Sequence, residues 1–111
     1  MEKDDSTLLG HIFDTAVNVA NRLKDVSREE FDSDQDLRYA ITYQIQVIGE
    51  AASKISIPFR QANLQIPWER IIGMRHRIVH DYMEVNYNIL WRTAKLDVNV
   101  LIEAVKPFVD Q

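Results

Sequence analysis

The chain has 111 residues, one domain's worth, with 46% hydrophobic and 27% charged residues and a formal net charge of −4. That length can bury roughly two-thirds of its unfolded surface, which is enough for a modest core. The absence of cysteine excludes disulfides and thiolate metal ligands, and the acidic balance argues against a protein that coats nucleic acid over its whole surface.

Three glycines and three prolines are few, which favours long helices over a turn-rich β-sandwich. The acidic start shows no signal-peptide run, and no segment approaches the roughly 18 consecutive apolar residues of a membrane helix. The expectation is a cytoplasmic, soluble protein. In chain order, a first helix is expected to begin after Ser6 or Thr7 as N-cap and to run to about Lys24. Its apolar positions Leu8, Leu9, Ile12, Ala16, Val19 and Leu23 keep a helical period. Ser27 with Glu30 reads as a capping box over a short helical turn near Phe31. Ser33 to Asp36 gives a second cap signal, which opens a long helix from about Asp34 to Ser56. Its stripe is Leu37, Ile41, Ile45, Ile48, Ala52 and Ile55. Gly49 inside that helix costs about 1 kcal/mol against alanine, so it is read as permitting a close helix approach.

Pro58 and Pro67 can each sit at the first turn of a helix. They predict a short helix near Phe59 to Asn63 and a third main helix from about Trp68 to Val79 or slightly beyond. Asn86 or Asn88 then caps the last long helix. Its stripe is Leu90 or Trp91, Ala94, Val98, Leu101 or Ile102, and Val105. Pro107 is expected to loosen or end it, with Phe108 and Val109 still able to pack. The sum is an all-α, antiparallel four-helix bundle with short extra helical turns, in one domain over residues 1–111.

Charge is unevenly spread. Most acids fall in the first 36 residues, while the stretch from Arg70 to His80 holds three arginines, two histidines and no acid. Within it stands Arg75-His76-Arg77-Ile78-Val79-His80-Asp81-Tyr82. At about 100° per residue, Ile71, Arg75, Ile78 and Tyr82 share a stripe, whereas Arg75 and His80 lie about 140° apart. The two can meet on one ligand only if the helix ends or bends near His80, if the arginine curls round, or if a second subunit completes the site. An arginine beside a histidine suits metal-free cleavage of RNA, whose 2′-hydroxyl is a built-in nucleophile. Histidine can move a proton near neutral pH. A guanidinium can hold two oxygens of a crowded phosphorane. A tyrosine offers a hydroxyl and a stacking ring. No cysteine, His-rich tract or Glu-x-x-His pattern points to a transition-metal site, and no cofactor is expected.

Arg75-x4-His80-x-Tyr82 resembles the Arg-x4-6-His pattern of the HEPN superfamily, in the variant typical of HepT-like toxins. Ile48-Gly49-Glu50-Ala51-Ala52 and Pro67-Trp68 leading into Ile72-Gly73-Met74-Arg75 are similar to that family as well, and the likeness runs from the first helix to Val109. The resemblance implies a homodimeric helical bundle and a metal-independent endoribonuclease acting as the toxin of a toxin–antitoxin pair. It implies a minimal nucleotidyltransferase as antitoxin partner, which can transfer AMP to the motif tyrosine. Carried over, Arg75 stabilises the phosphate, His80 acts as acid or base, and Tyr82 is both a substrate-side group and the modification site.

Plainer readings stand beside these. Arg75 could form a structural ion pair with Glu50, and the two roles are compatible. His76 and Arg77 read as solvated charges that could contact RNA backbone. Glu50 and Asp14 could orient Arg75 or His80. His11 reads as structural. Trp68, Trp91, Tyr39 and Tyr43 read as core or dimer interface, and Asp81 as outward-pointing. The competing functions are a non-catalytic helical partner of a nucleotidyltransferase and a nucleotide-binding subunit.

Overall fold

Burial of one apolar face per helix organises the chain. The computed structural model describes residues 3–81 and 84–109, without the side chains of residues 3, 75 and 79–81. Helix α1 spans Lys3–Arg22, α2 Arg28–Ser33, α3 Gln35–Ser53, α4 Ile57–Ala62 and α5 Trp68–Ile78. Two short strands follow, β1 (Val79–Asp81) and β2 (Glu84–Val85). Helix α6 (Tyr87–Arg92) then passes through one π-helical turn at Thr93–Asp97 into α7 (Val98–Val109). The described chain is therefore mostly helical, as its periodicity predicts, with a small antiparallel β1–β2 ladder that the periodicity does not announce. No described helix is long and apolar enough to cross a membrane.

The stripes read from the sequence form the core. Leu9, Ile12, Ala16, Val19 and Leu23 of the first segment are buried, as are Ile41, Ile45, Ile48, Ala52 and Ile55 of the second. Leu90, Ala94, Val98, Leu101 and Val105 complete it from the C-terminal side. Helix α1 packs against both α3 and α7, and α3 also packs against α5. Gly49 is the contact point of that last pair: a Cβ built there would lie 3.4 Å from the Ile71 carbonyl oxygen and 3.7 Å from that of Ile72. Both are ordinary van der Waals distances, so α3 and α5 meet here without requiring a glycine, and their approach is less close than the sequence suggests.

The caps follow the sequence signals closely. Ser27 accepts from the Glu30 amide at 3.0 Å, and Glu30 accepts from the Ser27 amide at 3.0 Å. Asp34 caps α3 through the Leu37 amide, and Asn86 caps α6 through the Ile89 amide. Two expectations need correction. Helix α1 begins at Lys3, so Ser6 and Thr7 lie inside it and are not its N-cap. Asp4 and Asp5 occupy its first turn, where carboxylates complement the helix dipole. The Asp5 carboxylate, 2% exposed, also accepts from the Ser56 amide at 2.8 Å and the Ser56 hydroxyl at 2.7 Å. Pro107 does not end α7, which continues to Val109. A proline this close to a C-terminus removes only one late backbone bond, and Phe108 holds the turn by packing edge-on to Phe59 at 5.2 Å.

Candidate active site

The candidate site lies where α5 gives way to the β1–β2 pair. Pro67 immediately precedes α5, and its carbonyl accepts from the Ile71 amide at 3.0 Å. Trp68 anchors the same end, donating from Nε1 to the Asn63 carbonyl at 3.1 Å. Ile71, Met74 and Ile78 are buried along the helix. They hold its axis against α3.

The helix ends at Ile78, between Arg75 and His80. His80 lies not on a continuing helix but in β1. The ladder pairs Val79 with Val85 and Asp81 with Glu84, so two steps on β1 face one step on β2. His80 is the extra residue of that irregularity. Bulges of this kind re-aim a strand locally. The Asn86 amide closes the base of the pair by donating to the Ile78 carbonyl at 2.7 Å. Of the geometric routes open to Arg75 and His80, the backbone takes the one in which the helix stops between them. Tyr82 lies outside the described residues, as do the side chains of Arg75, His80 and Asp81.

The remaining candidates divide by surroundings. His76 and Arg77 are exposed on the last turns of α5. Arg77 donates from Nη2 to the Arg70 carbonyl at 3.4 Å, a long bond at the helix surface. Arg70, the third arginine of the basic stretch, pairs with Asp97 at 2.8 Å and so ties α5 to the π turn. Part of the charge asymmetry seen in the sequence is thus neutralised structurally. Glu50 is exposed and faces Lys54 at 3.6 Å. It lines an open groove of about 370 Å³ between α1 and α3, together with Leu8, His11, Tyr43, Gln46 and Lys54. Asp14 is exposed on α1. Tyr39 and Tyr43 are not core residues: they are 57% and 68% exposed. Trp68 is buried, and Trp91 packs on Phe31 with ring centroids 5.0 Å apart.

The sequence reading missed Arg38. Its Nη1 donates to the Phe31 carbonyl at 2.9 Å and also to the Asp32 carbonyl, and its guanidinium lies 4.8 Å from the Tyr87 ring centroid. The partners are two carbonyls at the end of α2 and an aromatic ring at the start of α6. No local motif could announce that combination.

A helical domain carrying Arg-x4-His at a helix-to-strand break defines a class, and comparison with known proteins names it. Residues 13–108 match the family model described as Ribonuclease HepT-like, and the chain belongs to that family. It is 35% identical over 98 residues to a protein of Caldanaerobacter subterraneus subsp. tengcongensis assigned as an RNase, covering 88% of each chain. A second assigned RNase, from Methanocaldococcus jannaschii, is 32% identical over 97 residues, covering 87% of this chain and 89% of the relative. A Thermococcus cleftensis protein assigned as ribonuclease HepT is 31% identical over 75 residues, covering 68% of each. No solved structure matches the chain.

Proposed function

We propose that the protein is a metal-independent endoribonuclease whose chemistry is carried by Arg75 and His80, with Tyr82 of the same motif as substrate-side group and modification site. The observation that carries the reading is the end of α5 at Ile78, with His80 in β1. A helix that stops between the two residues is not bound by the angle that a continuous helix would fix between them. Membership of the HepT-like ribonuclease family supports the substrate class.

In this reading His80 exchanges protons with the 2′-hydroxyl and the leaving oxygen. Arg75 bears the charge that develops on the phosphorane. His76 and Arg77, exposed nearby, position the RNA backbone without reading bases. Glu50 and Asp14 are retained as orienting groups, Glu50 within its present pairing to Lys54.

The biological setting proposed is a toxin–antitoxin pair in the cytoplasm. The toxin is a homodimer of antiparallel four-helix bundles built from α1, α3, α5 and the α6–α7 arm. The partner is a minimal nucleotidyltransferase that silences it by transferring AMP to Tyr82. A phosphodiester-linked adduct beside Arg75 would occupy the phosphate position and repel RNA.

The direct test is cleavage of RNA in EDTA by the purified protein, beside Arg75→Ala and His80→Ala. Cleavage by the wild type alone supports the assignment. Three indistinguishable proteins would refute it. Incubation with the partner enzyme and ATP should add one or more AMP units to Tyr82 by mass spectrometry, and modification confined to other residues would remove that silencing mechanism.

A further inference from the structure

We propose that Arg38 is a positioning residue for this site, holding from outside the β1–β2 pair that carries His80. The inference rests on the ribonuclease reading for its catalytic consequence, but its structural basis is independent of that reading.

Arg38 sits in the first turns of α3 and reaches two elements at once. Its guanidinium donates to the carbonyls of Phe31 and Asp32, where α2 ends. Its face lies against Tyr87, 4.8 Å from the ring centroid. Tyr87 is the first residue of α6. It directly follows Asn86, whose amide donates to Ile78, the last residue of α5. The foot of the β1–β2 pair is therefore gripped from two sides, by the Ile78–Asn86 bond and by Arg38 through Tyr87. Neighbouring contacts fix the grip's own frame. Phe31 packs on Trp91 of α6, and Arg28 bridges Asp32 at 2.9 Å and Asn88 at 2.5 Å.

The details favour an arginine and no other cation. Both carbonyl bonds come from Nη1 while the flat guanidinium lies over the ring, and a lysine, with a shorter stem and no planar face, does not reproduce that arrangement. Arg38 Nε is buried with no acceptor. An unmatched buried donor costs desolvation energy, so the side chain is held there by its Nη1 bonds and the ring contact. Proton transfer by His80 needs placement to within fractions of an ångström, and misplacement of about 1 Å can lower turnover about a hundredfold.

The test uses the full-length protein with isotope-labelled histidine. The chain has three histidines; His11 on α1 and His76 on α5 serve as internal references for His80. Arg38→Ala should shift or broaden the His80 imidazole signals and the amide signals of β1 and β2, while His11 keeps its wild-type position. On RNA, kcat should fall about tenfold to a hundredfold with KM changed by no more than about twofold. Arg38→Lys and Tyr87→Leu should reproduce the His80 shift, and they carry the test if Arg38→Ala does not fold. Wild-type His80 signals in any folded variant overturn the proposal. If the wild type itself cleaves no RNA, the ribonuclease reading fails, while the His80 signals still decide whether Arg38 holds this segment.

Discussion

The amide of Asn86 donates to the carbonyl of Ile78 at 2.7 Å, joining the residue that caps α6 to the residue that ends α5. The chain between them leaves and returns at one point, so His80 rides on a segment with a fixed base. Asn86 supplies two separate interactions there: its amide reaches back to Ile78, and its side chain accepts from Ile89 at 3.1 Å. Asn86→Ala should remove only the cap and cost about 1 kcal/mol in chemical denaturation. Asn86→Pro fits the backbone, whose φ is −82°, and also removes the donor. It should cost more than Asn86→Ala, and the difference reports the Ile78 bond. Equal costs would show that this bond contributes nothing to stability.

Asp5 and Ser56 form a long-range polar contact between the first turn of α1 and the start of α4. Both carboxylate oxygens are used, one by the Ser56 amide and one by its hydroxyl. Asp5→Ala leaves the Ser56 amide without that acceptor in a part-buried place and should cost about 1–3 kcal/mol in urea unfolding. Ser56→Ala keeps the amide bond but removes both the hydroxyl bond to Asp5 and the cap on the Phe59 amide at the start of α4, and should cost at least about 1 kcal/mol. Either variant within about 0.5 kcal/mol of wild type would contradict this account.

At Gly49 the outcome depends on size. An alanine Cβ would stand 3.4 Å from the Ile71 carbonyl oxygen, an ordinary contact, while gaining about 1 kcal/mol of helix propensity. Gly49→Ala should therefore leave the melting temperature unchanged or raise it. Gly49→Leu must push α5 away from α3 and should lower it. A clear loss in the alanine variant would mean that the two helices cannot yield at all.

Phe31 is fully buried and stacks against Trp91, so Phe31→Ala should cost about 3–5 kcal/mol. That is a large part of the stability of a domain this size, and a variant within 1 kcal/mol of wild type would show that the site collapses to fill the cavity.

The capping box predicts a pH effect. Hydrogen bonds from the backbone and then the side chain of Ser27 lower the Glu30 pKa from its ordinary 4.5. A depressed carboxylate contributes fully above its unfolded value and loses that contribution as pH falls through the folded value. The cap on α2 should therefore weaken only below about pH 4.5, the ordinary value from which Glu30 is displaced. NMR titration of the Glu30 carboxyl should give a midpoint below 4.5, and Ser27→Ala should return it toward that value. The variant keeps the Ser27 amide, the larger cause, so the return is only partial, and an unchanged midpoint would remove the Ser27 side chain alone as a cause.

The long helices and their caps are legible in the sequence because one buried face imposes a spacing of three or four, as Ile41, Ile45 and Ile48 show, and because Ser27, Asp34 and Asn86 satisfy amides a few residues away. The break after Ile78 is less legible. No glycine or proline stands between Met74 and Val85 to mark it, and the strand pairing that replaces the helix depends on Val85, which returns from beyond. The motif Arg75-x4-His80-x-Tyr82 is visible as a pattern, and the angle between its members on an ideal helix already demands such a break. Arg38 is invisible because its role comes from two carbonyls and a distant ring. The exposure of Tyr39 and Tyr43 is likewise tertiary, since α3 has one face to bury and the isoleucines occupy it.

The π turn at Thr93–Asp97 has a consequence for how this chain tolerates insertion and deletion. Leu90, Ala94 and Val98 are all buried, yet two successive steps of four drift about 80° on a regular α-helix. The wider turn, closed by i→i+5 bonds, takes up that drift, so one surplus residue is accommodated without turning the arm's apolar face from the core. Removing one residue within this turn should restore an ordinary α-helix. The same deletion within α7 would rotate every later core residue out of place, which makes this turn the point where the arm can change length by one.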